Sequence, residues 1–276
     1  MSPFQRHIDA CNNLGPVVGF MPLRLAGQQV GFVHPELAFS VFPQACAVDG
    51  DGVHVKPGVP LQQLADALAA RGLVALRGEM FDVRASAAGP VLDVVDRGAV
   101  PRFAIIGQGV HVNGLVRRAD GLHVWVGLRS RTKPVAPGKL DHVVAGGMPA
   151  GMGAEQCLVK EAAEEASIPA ELARQARKVA RLSYAMAGED GLRRDVLHCY
   201  DLDLPEGFTP RPNDDEVERF ELWPVQRLFV TVRDTMDVKF NVYLVLIDLF
   251  LRQGLIDAGS AEGLALRAGL DQGPRD

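Results

Sequence analysis

The spacing of hydrophobic residues changes several times along this chain, and each change predicts a different element. In the first hundred residues the short apolar runs Val17-Val18-Gly19-Phe20 and Val30-Gly31-Phe32-Val33 predict strands, and Gly27 between them predicts a hairpin turn. From Leu61 to Leu73 the spacing is helical, with Leu61, Leu64, Leu68 and Ala69 on one side and Gly72 near the end. Alternation returns in Gly121-Leu122-His123-Val124-Trp125-Val126-Gly127-Leu128, and Asp141 to Ala145, Leu197 to Leu204 and Arg219 to Leu222 read as further strands. Helical spacing marks Ala154 to Ser167 and Asn241 to Gln253, the latter with Gly254 behind it. Together these predict an α+β chain whose larger part is a mixed sheet between helical layers. The expected division is a small α+β domain over 1–105, a larger domain over 106–256 and a tail over 257–276 that reads as a short helix or a frayed end.

Composition narrows the classes without choosing one. A chain of 276 residues, 47% hydrophobic and 23% charged, can support two modest cores. A net charge of −5 argues against a general nucleic-acid binder, because phosphate backbones are held by clustered lysine and arginine. Cys11, Cys46, Cys157 and Cys199 form no Cys-x-x-Cys pair, so buried free thiols are expected rather than a zinc site or a disulfide scaffold. The opening residues Met1 to His7 carry no basic-then-apolar leader. The apolar stretch from Phe240 to Leu251 is interrupted by Asn241 and Asp248 and is too short to span a bilayer. A cytoplasmic protein without membrane attachment is therefore expected.

The chemistry concentrates in Lys160-Glu161-Ala162-Ala163-Glu164-Glu165-Ala166-Ser167-Ile168, preceded by Gly146-Gly147, Pro149 and Gly151. On a helix, Glu161, Glu164 and Glu165 fall within about a third of the circumference, while Val159, Ala162, Ala163 and Ala166 point the other way. Three adjacent carboxylates repel one another unless a cation or solvent relieves them. A solvated surface face is the plainer explanation; a site for Mg2+ or Mn2+, completed by substrate phosphates, is the functional one.

The segment from Gly146 to Ile168 resembles the Nudix box. Glu161, Glu164 and Glu165 match the family's three metal-binding glutamates, and Ala162 and Ile168 its apolar positions. Lys160 stands for the box arginine, Ser167 for the closing glycine and Met152 for the first glutamate. The box glycine is Gly146 on this frame, or Gly147 if the loop is one residue shorter. The resemblance extends from about residue 100 to 256, through Phe103 to Gly114, Trp125 to Lys133, Pro137 to Asp141, Arg194 to Val196, Tyr200 to Pro205 and Asp215 to Phe220. These stretches look like the Nudix branch related to thiamine pyrophosphokinase, in which an additional N-terminal domain precedes the hydrolase. What the resemblance implies is a Nudix α/β/α sandwich and Mg2+-dependent hydrolysis of thiamine diphosphate analogues, notably oxidised or damaged forms, to the monophosphate and phosphate.

Under that reading Glu161, Glu164 and Glu165 hold the metal, and Glu165, Glu164 or Glu216 serves catalysis. Glu165 could accept the water's proton from the helix; Glu216 or Glu218 could do so from the acidic loop, for which a solvated turn is the alternative. Arg129, Arg131 and Lys133 are candidates to grip a phosphate, with Arg193 and Arg194 as alternatives. Trp125 and Trp223 could stack on a heterocycle, although core packing is the plainer role, and His142 reads as structural. The partner is a small-molecule diphosphate, and the N-terminal domain shapes the pocket or supports a homodimer. Competing readings are an ADP-ribose or dinucleotide pyrophosphatase and a non-catalytic ligand sensor.

Overall fold

The protein is described by a computed structural model over residues 2–15, 19–133, 135–213 and 215–274. Helix α1 (Gln5–Cys11) is followed by a hairpin of β1 (Met21–Leu25) and β2 (Gln28–Val33). Ala26 and Gly27, the two turn residues, have φ of 49° and 79°, as a two-residue hairpin turn matched to strand twist requires. The expected turn is therefore present, but its first strand starts at Met21; Gly19 and Phe20 lie outside it, and Val17 and Val18 lie outside the described residues. The chain continues through α2 (Pro35–Ser40), β3 (Cys46–Asp49), β4 (Gly52–Val55), α3 (Leu61–Ala69), β5 (Met80–Val83) and β6 (Asp93–Asp96). Strands β2-β1-β4-β3 form one sheet and β5-β6 a separate ribbon. Leu61, Leu64 and Leu68 of α3 are fully buried in the core of this N-terminal unit, with Leu23, Val53, Val95 and Phe103.

The larger sheet uses longer strands. It contains β7 (Ile106–Arg118), β8 (Gly121–Arg129), β9 (Leu140–Asp141) and β10 (Val144–Gly147). After α4 (Ala154–Ala166) and α5 (Ala170–Ala173) come β11 (Arg177–Gly188), β12 (Gly191–Asp203) and β13 (Val217–Pro224), then α6 (Val225–Asp234), α7 (Val242–Arg252) and α8 (Ala261–Gly269). The order is β11-β12-β7-β8-β13, with β10 on β7 and β9 on β8. Only β12 and β7 run parallel among these pairs, so the sheet is mixed as expected.

Each face of this sheet buries its own apolar layer. On one side Leu115, Val126, Leu182 and Leu197 meet α6, α7 and α8. On the other, Val110, Val112, Tyr200 and Leu202 meet Cys157, Leu158, Ala162 and Ala166 of α4. This is the α/β/α sandwich. Phe4, just before α1, and Ile8 and Cys11 within it pack in the first layer beside Leu266 and Leu270, so α1 and α8 both join the larger sheet. The closing residues include the ordered helix α8, whose Ser260 hydroxyl caps Gly263 N–H at 3.0 Å. All four cysteines are free and buried. No helix of the described residues is long and apolar enough to cross a membrane.

Two expected boundaries differ from the structure, and one strand, β11, has no counterpart among the expected elements. Residues 141–145 are not one strand: Asp141 pairs with Gly127 of β8, whereas Val144 pairs with Val112 of β7. The chain turns at His142 and Val143 to change partner strand. The strand expected at Leu197 begins at Gly191, because its first residues pair with β11. β11 itself mixes Arg177, Lys178 and Arg181 with apolar residues, which weakens its alternation.

A buried histidine ties α1 into the core and makes stability depend on pH. The His7 ring stacks on Tyr243 with centroids 3.6 Å apart, its Nε2–H donates to the Val232 carbonyl at 2.7 Å, and Nδ1 is buried without a partner. Burial pulls its pKa from the usual 6.5 to about 4, against the opposing hydrogen bond. The unfolded chain therefore binds this proton between pH 6.5 and 4 while the native state does not. The His7 contribution is present above pH 6.5 and falls away as pH drops towards 4, by on the order of 2–3 kcal/mol. Denaturant titrations should give a stability that declines over this window, with a shallower decline in His7→Gln. Buried His111 and His142 add to the same slope in both proteins.

Candidate active site

Helix α4 is placed by its ends and by its small residues. At its start Gly153 N–H donates to the Gln156 side chain at 3.3 Å. At its end Ser167 adopts the left-handed conformation, with φ 52° and ψ 33°, and its hydroxyl donates to the Arg211 carbonyl at 3.0 Å. Serine thus takes the backbone conformation that glycine adopts more easily, held by a hydrogen bond that glycine lacks. Ala162 and Ala166 are fully buried against the sheet, which lets the helix lie close to β10.

Two glutamates dock on β10 at neighbouring residues. Ala145 N–H donates to Glu165 Oε2 at 2.8 Å. A Cβ at Gly146 would lie 2.3 Å from Glu161 Cδ, far inside contact distance, so the carboxyl occupies the space that glycine leaves open. Gly146 is therefore the glycine that the helix requires. Gly147 is needed for another reason: a Cβ there would lie 2.6 Å from Phe81 Cζ of the N-terminal unit. Glu164, the more exposed of the three, receives a hydrogen bond from Lys160 at 2.6 Å, and Lys160 also donates to Glu161 at 3.0 Å.

These carboxyls sit where negative charge is poorly solvated. Burial raises the Glu165 pKa to about 8, opposed by the Ala145 hydrogen bond and reinforced by Asp141 and Glu161. Burial also raises that of Glu161, against Lys160. A crowded set of hard oxygen donors with a raised affinity for protons fits a divalent cation, which displaces the protons and relieves the repulsion.

Beside Glu165 lies a buried polar cluster built on Asp141. Arg129 Nη1 donates to Asp141 Oδ2 at 2.7 Å, Lys239 Nζ donates to the same oxygen at 3.2 Å, and His142 N–H donates to Oδ1 at 2.9 Å. Burial alone would raise the Asp141 pKa, but Lys239 and Arg129 hold it well below the usual carboxylate range. His142 Nδ1 lies 3.1 Å from His111 Nδ1, and both rings are buried with lowered pKa values. His111, Asp141 and His142 could offer atoms to a metal, lying within 4.8 Å of one another. The two cationic side chains already on Asp141 fill that role, which makes this group less suited to a further cation.

The expected phosphate-binding set is divided by this geometry. Arg129 is corrected: besides Asp141 it donates from Nε to the Ala136 carbonyl at 3.1 Å and from Nη2 to the Val135 carbonyl at 2.8 Å, so its guanidinium is committed to structure. Lys133 pairs with Glu216 at 2.5 Å, and exposed Arg131 lies 3.9 Å from Glu218. The candidate cations and the candidate loop bases therefore face each other. Arg194 donates to the Ala104 carbonyl and lies over Phe32, whereas Arg193 pairs with Asp190 and lies over Phe240. Trp125 is core, and Trp223 donates to Glu221 beneath Arg227. His142 is buried within the Asp141 cluster. Asp141, Lys239 and His111 carry no spacing signal in the sequence, since 98 residues separate the ion-paired Asp141 and Lys239.

Two outcomes follow from these environments. Because the Glu165 proton must leave for a cation to bind, the affinity for Mg2+ should rise between pH 6 and 8, with proton release measurable by titration calorimetry in buffers of different ionisation enthalpy. Glu165→Gln should remove most of that dependence. Arg129→Ala should lower stability by on the order of 3 kcal/mol by weakening the compensation of buried Asp141, as read from denaturant unfolding. In protein that remains folded, the KM for a diphosphate should change less than about twofold.

Comparison with known proteins gives the family. Residues 107–243 match the family model described as the NUDIX domain. The chain is 36% identical over 287 residues to Nudix hydrolase 20, chloroplastic, of Arabidopsis thaliana, covering 96% of this chain and 77% of that protein. It is also 36% identical over 270 residues to Nudix hydrolase 24, chloroplastic, of the same plant, covering 93% and 74%. The solved structure of DR0079 from Deinococcus radiodurans overlays 61% of this chain and 97% of its own at a TM-score of 0.46, with 18% identity. Identity over this span, together with the domain match on the sheet and helix that carry Glu161, Glu164 and Glu165, assigns the chain to the Nudix hydrolases, enzymes acting on pyrophosphate bonds.

Proposed function

We propose that this Nudix hydrolase cleaves thiamine diphosphate analogues, in particular oxidised or damaged forms, to the monophosphate and phosphate, and that it belongs to the branch related to thiamine pyrophosphokinase. The observation that carries the chemistry is the docking of Glu161 at Gly146 and Glu165 at Ala145, which gathers three carboxylates on one helix face. The substrate follows from the resemblance across residues 100–256.

Glu161, Glu164 and Glu165 would hold Mg2+, or Mn2+ in its place, which would supply charge neutralisation for the diphosphate and acidify the attacking water. The water oxygen forms a bond to phosphorus while the bridging P–O bond breaks, and the displaced phosphate leaves with the bridging oxygen. Glu165 accepts the water's proton from the helix, where its carboxyl is oriented by the Ala145 N–H at 2.8 Å. Glu216 is the weaker base, since Lys133 holds its carboxyl below the usual range despite partial burial. Lys133 and Arg131 offer cations to the phosphates from the acidic-loop side. The N-terminal unit acts as an accessory domain that shapes the site.

A substrate panel tests this reading. Phosphate release with and without Mg2+ should be fastest from oxidised thiamine diphosphates, compared with intact thiamine diphosphate, ADP-ribose and a dinucleotide. Turnover confined to the nucleotides would overturn the substrate, and no metal-dependent turnover of any would overturn the enzyme reading. Glu165→Gln should lower kcat at least about 100-fold, and Glu216→Gln less than about fivefold. The reverse order would move the base to the loop.

A further inference from the structure

The proposed phosphate cations come from the larger domain, yet the N-terminal unit also reaches the glutamate site. Contact can be followed residue by residue. Glu161 fills the space beside Gly146, the adjoining Gly147 lies under Phe81 of β5, and the Arg97 guanidinium lies 5.7 Å from the Phe81 ring centroid. β5 is tied to the loop before α4: Ala150 N–H donates to the Met80 carbonyl at 2.7 Å, and Gly151 N–H donates to Asp82 Oδ1 at 3.1 Å. A cleft lies along this seam, lined by Phe81, Asp82, Arg84, Gln108, Met148 and Met152 among others.

Arg97 does not line the cleft itself but lies against Phe81, which does, and it is the more exposed of the two arginines here, Arg84 being held by Asp82. The Arg97 side chain is 52% exposed, and its Nη1 pairs with Glu79 Oε2 at 2.8 Å. Its backbone is fixed by an N–H bond to the Glu79 carbonyl at 2.8 Å. Electrostatic contacts agree with this position from two sides. Glu79 is among the charges acting on Glu161, and Arg97 is the next cation after Lys133 acting on Glu216. Arg97 thus lies beside Phe81, the ring that covers Gly147, whereas the Arg129 guanidinium is buried and committed to Asp141, Val135 and Ala136. An exposed guanidinium whose present partner is a single half-shielded carboxylate can exchange it for phosphate oxygens, which present a similar pair of acceptors with more charge.

We propose that Arg97, supplied by the N-terminal unit, is a substrate-binding residue that grips the diphosphate of the substrate. This rests on the diphosphate reading above for the ligand class, but not on the identity of the organic group. Because the unit's wall is pinned to the loop before α4, substrate binding requires both halves of the chain.

The test uses methylenediphosphonate, a diphosphate analogue with a non-hydrolysable bridge, so that binding is measured without turnover. Titration calorimetry at saturating Mg2+ on the full chain should show binding to wild type, about tenfold weaker binding to Arg97→Ala, and an intermediate loss in Arg97→Lys, which keeps the charge but loses the fork. For any substrate that is turned over, Arg97→Ala should raise KM about tenfold with kcat within about threefold. The Mg2+ half-saturation and the thermal midpoint should be unchanged, which a merely structural role would not allow. Equal affinity in Arg97→Ala and wild type overturns the proposal, as does loss of affinity accompanied by unfolding in both Arg97→Ala and Arg97→Lys. If wild type binds the analogue through Arg97 but hydrolyses no thiamine-type diphosphate, the substrate reading falls and this one stands. Failure of wild type to bind the analogue overturns both.

Discussion

The contact of α4 with β10 is the constraint around which the rest of the site is built. Two carboxylates would not settle against a sheet edge without compensation, because an ionised group removed from water costs several kcal/mol unless it is paired. Here the compensation is specific. Glycine at 146 leaves room for one carboxyl, and the backbone N–H of Ala145 satisfies part of the other. Buried alanines at 162 and 166 bring the helix within reach. What remains on Glu161 and Glu165 is a raised affinity for protons, a demand that a divalent cation would meet in their place.

The second support is the Asp141 cluster. It closes the space between β8 and β10 where the chain switches partner strands, and it takes Arg129 and Lys239 out of service as free cations. A buried carboxylate with two cationic partners tolerates the low-dielectric setting that pushes Glu165 towards its protonated form. Neighbouring carboxyls in one buried region are thereby held in opposite states: Asp141 as a fixed anion, Glu165 as a group ready to exchange a proton.

Local features were readable from sequence and distant pairings were not. The Ala26-Gly27 turn, the α3 stripe and the α4 glutamates all express themselves within a few residues, where periodicity and conformational preference act directly. Arg129 looked available because its strand position and charge are local facts; that its donors go to Val135, Ala136 and Asp141 depends on how a loop folds back. His142 carried the reverse signal, reading as structural and lying buried against His111. The roles of α1 and α8 were hidden because their apolar residues match a core formed by strands and helices far away in the chain. Phe81 and Arg97 likewise gain meaning only once β5 lies against the box loop.

The most direct test of the central claim is a Mn2+ titration followed by electron paramagnetic resonance of the free ion. Wild-type protein should bind Mn2+ at a site that Mg2+ competes for, and the Glu161→Gln, Glu165→Gln double variant should lose that site while keeping its fold by circular dichroism. Undiminished binding in the double variant would contradict the account, because the cation would then be held somewhere other than the docked face of α4.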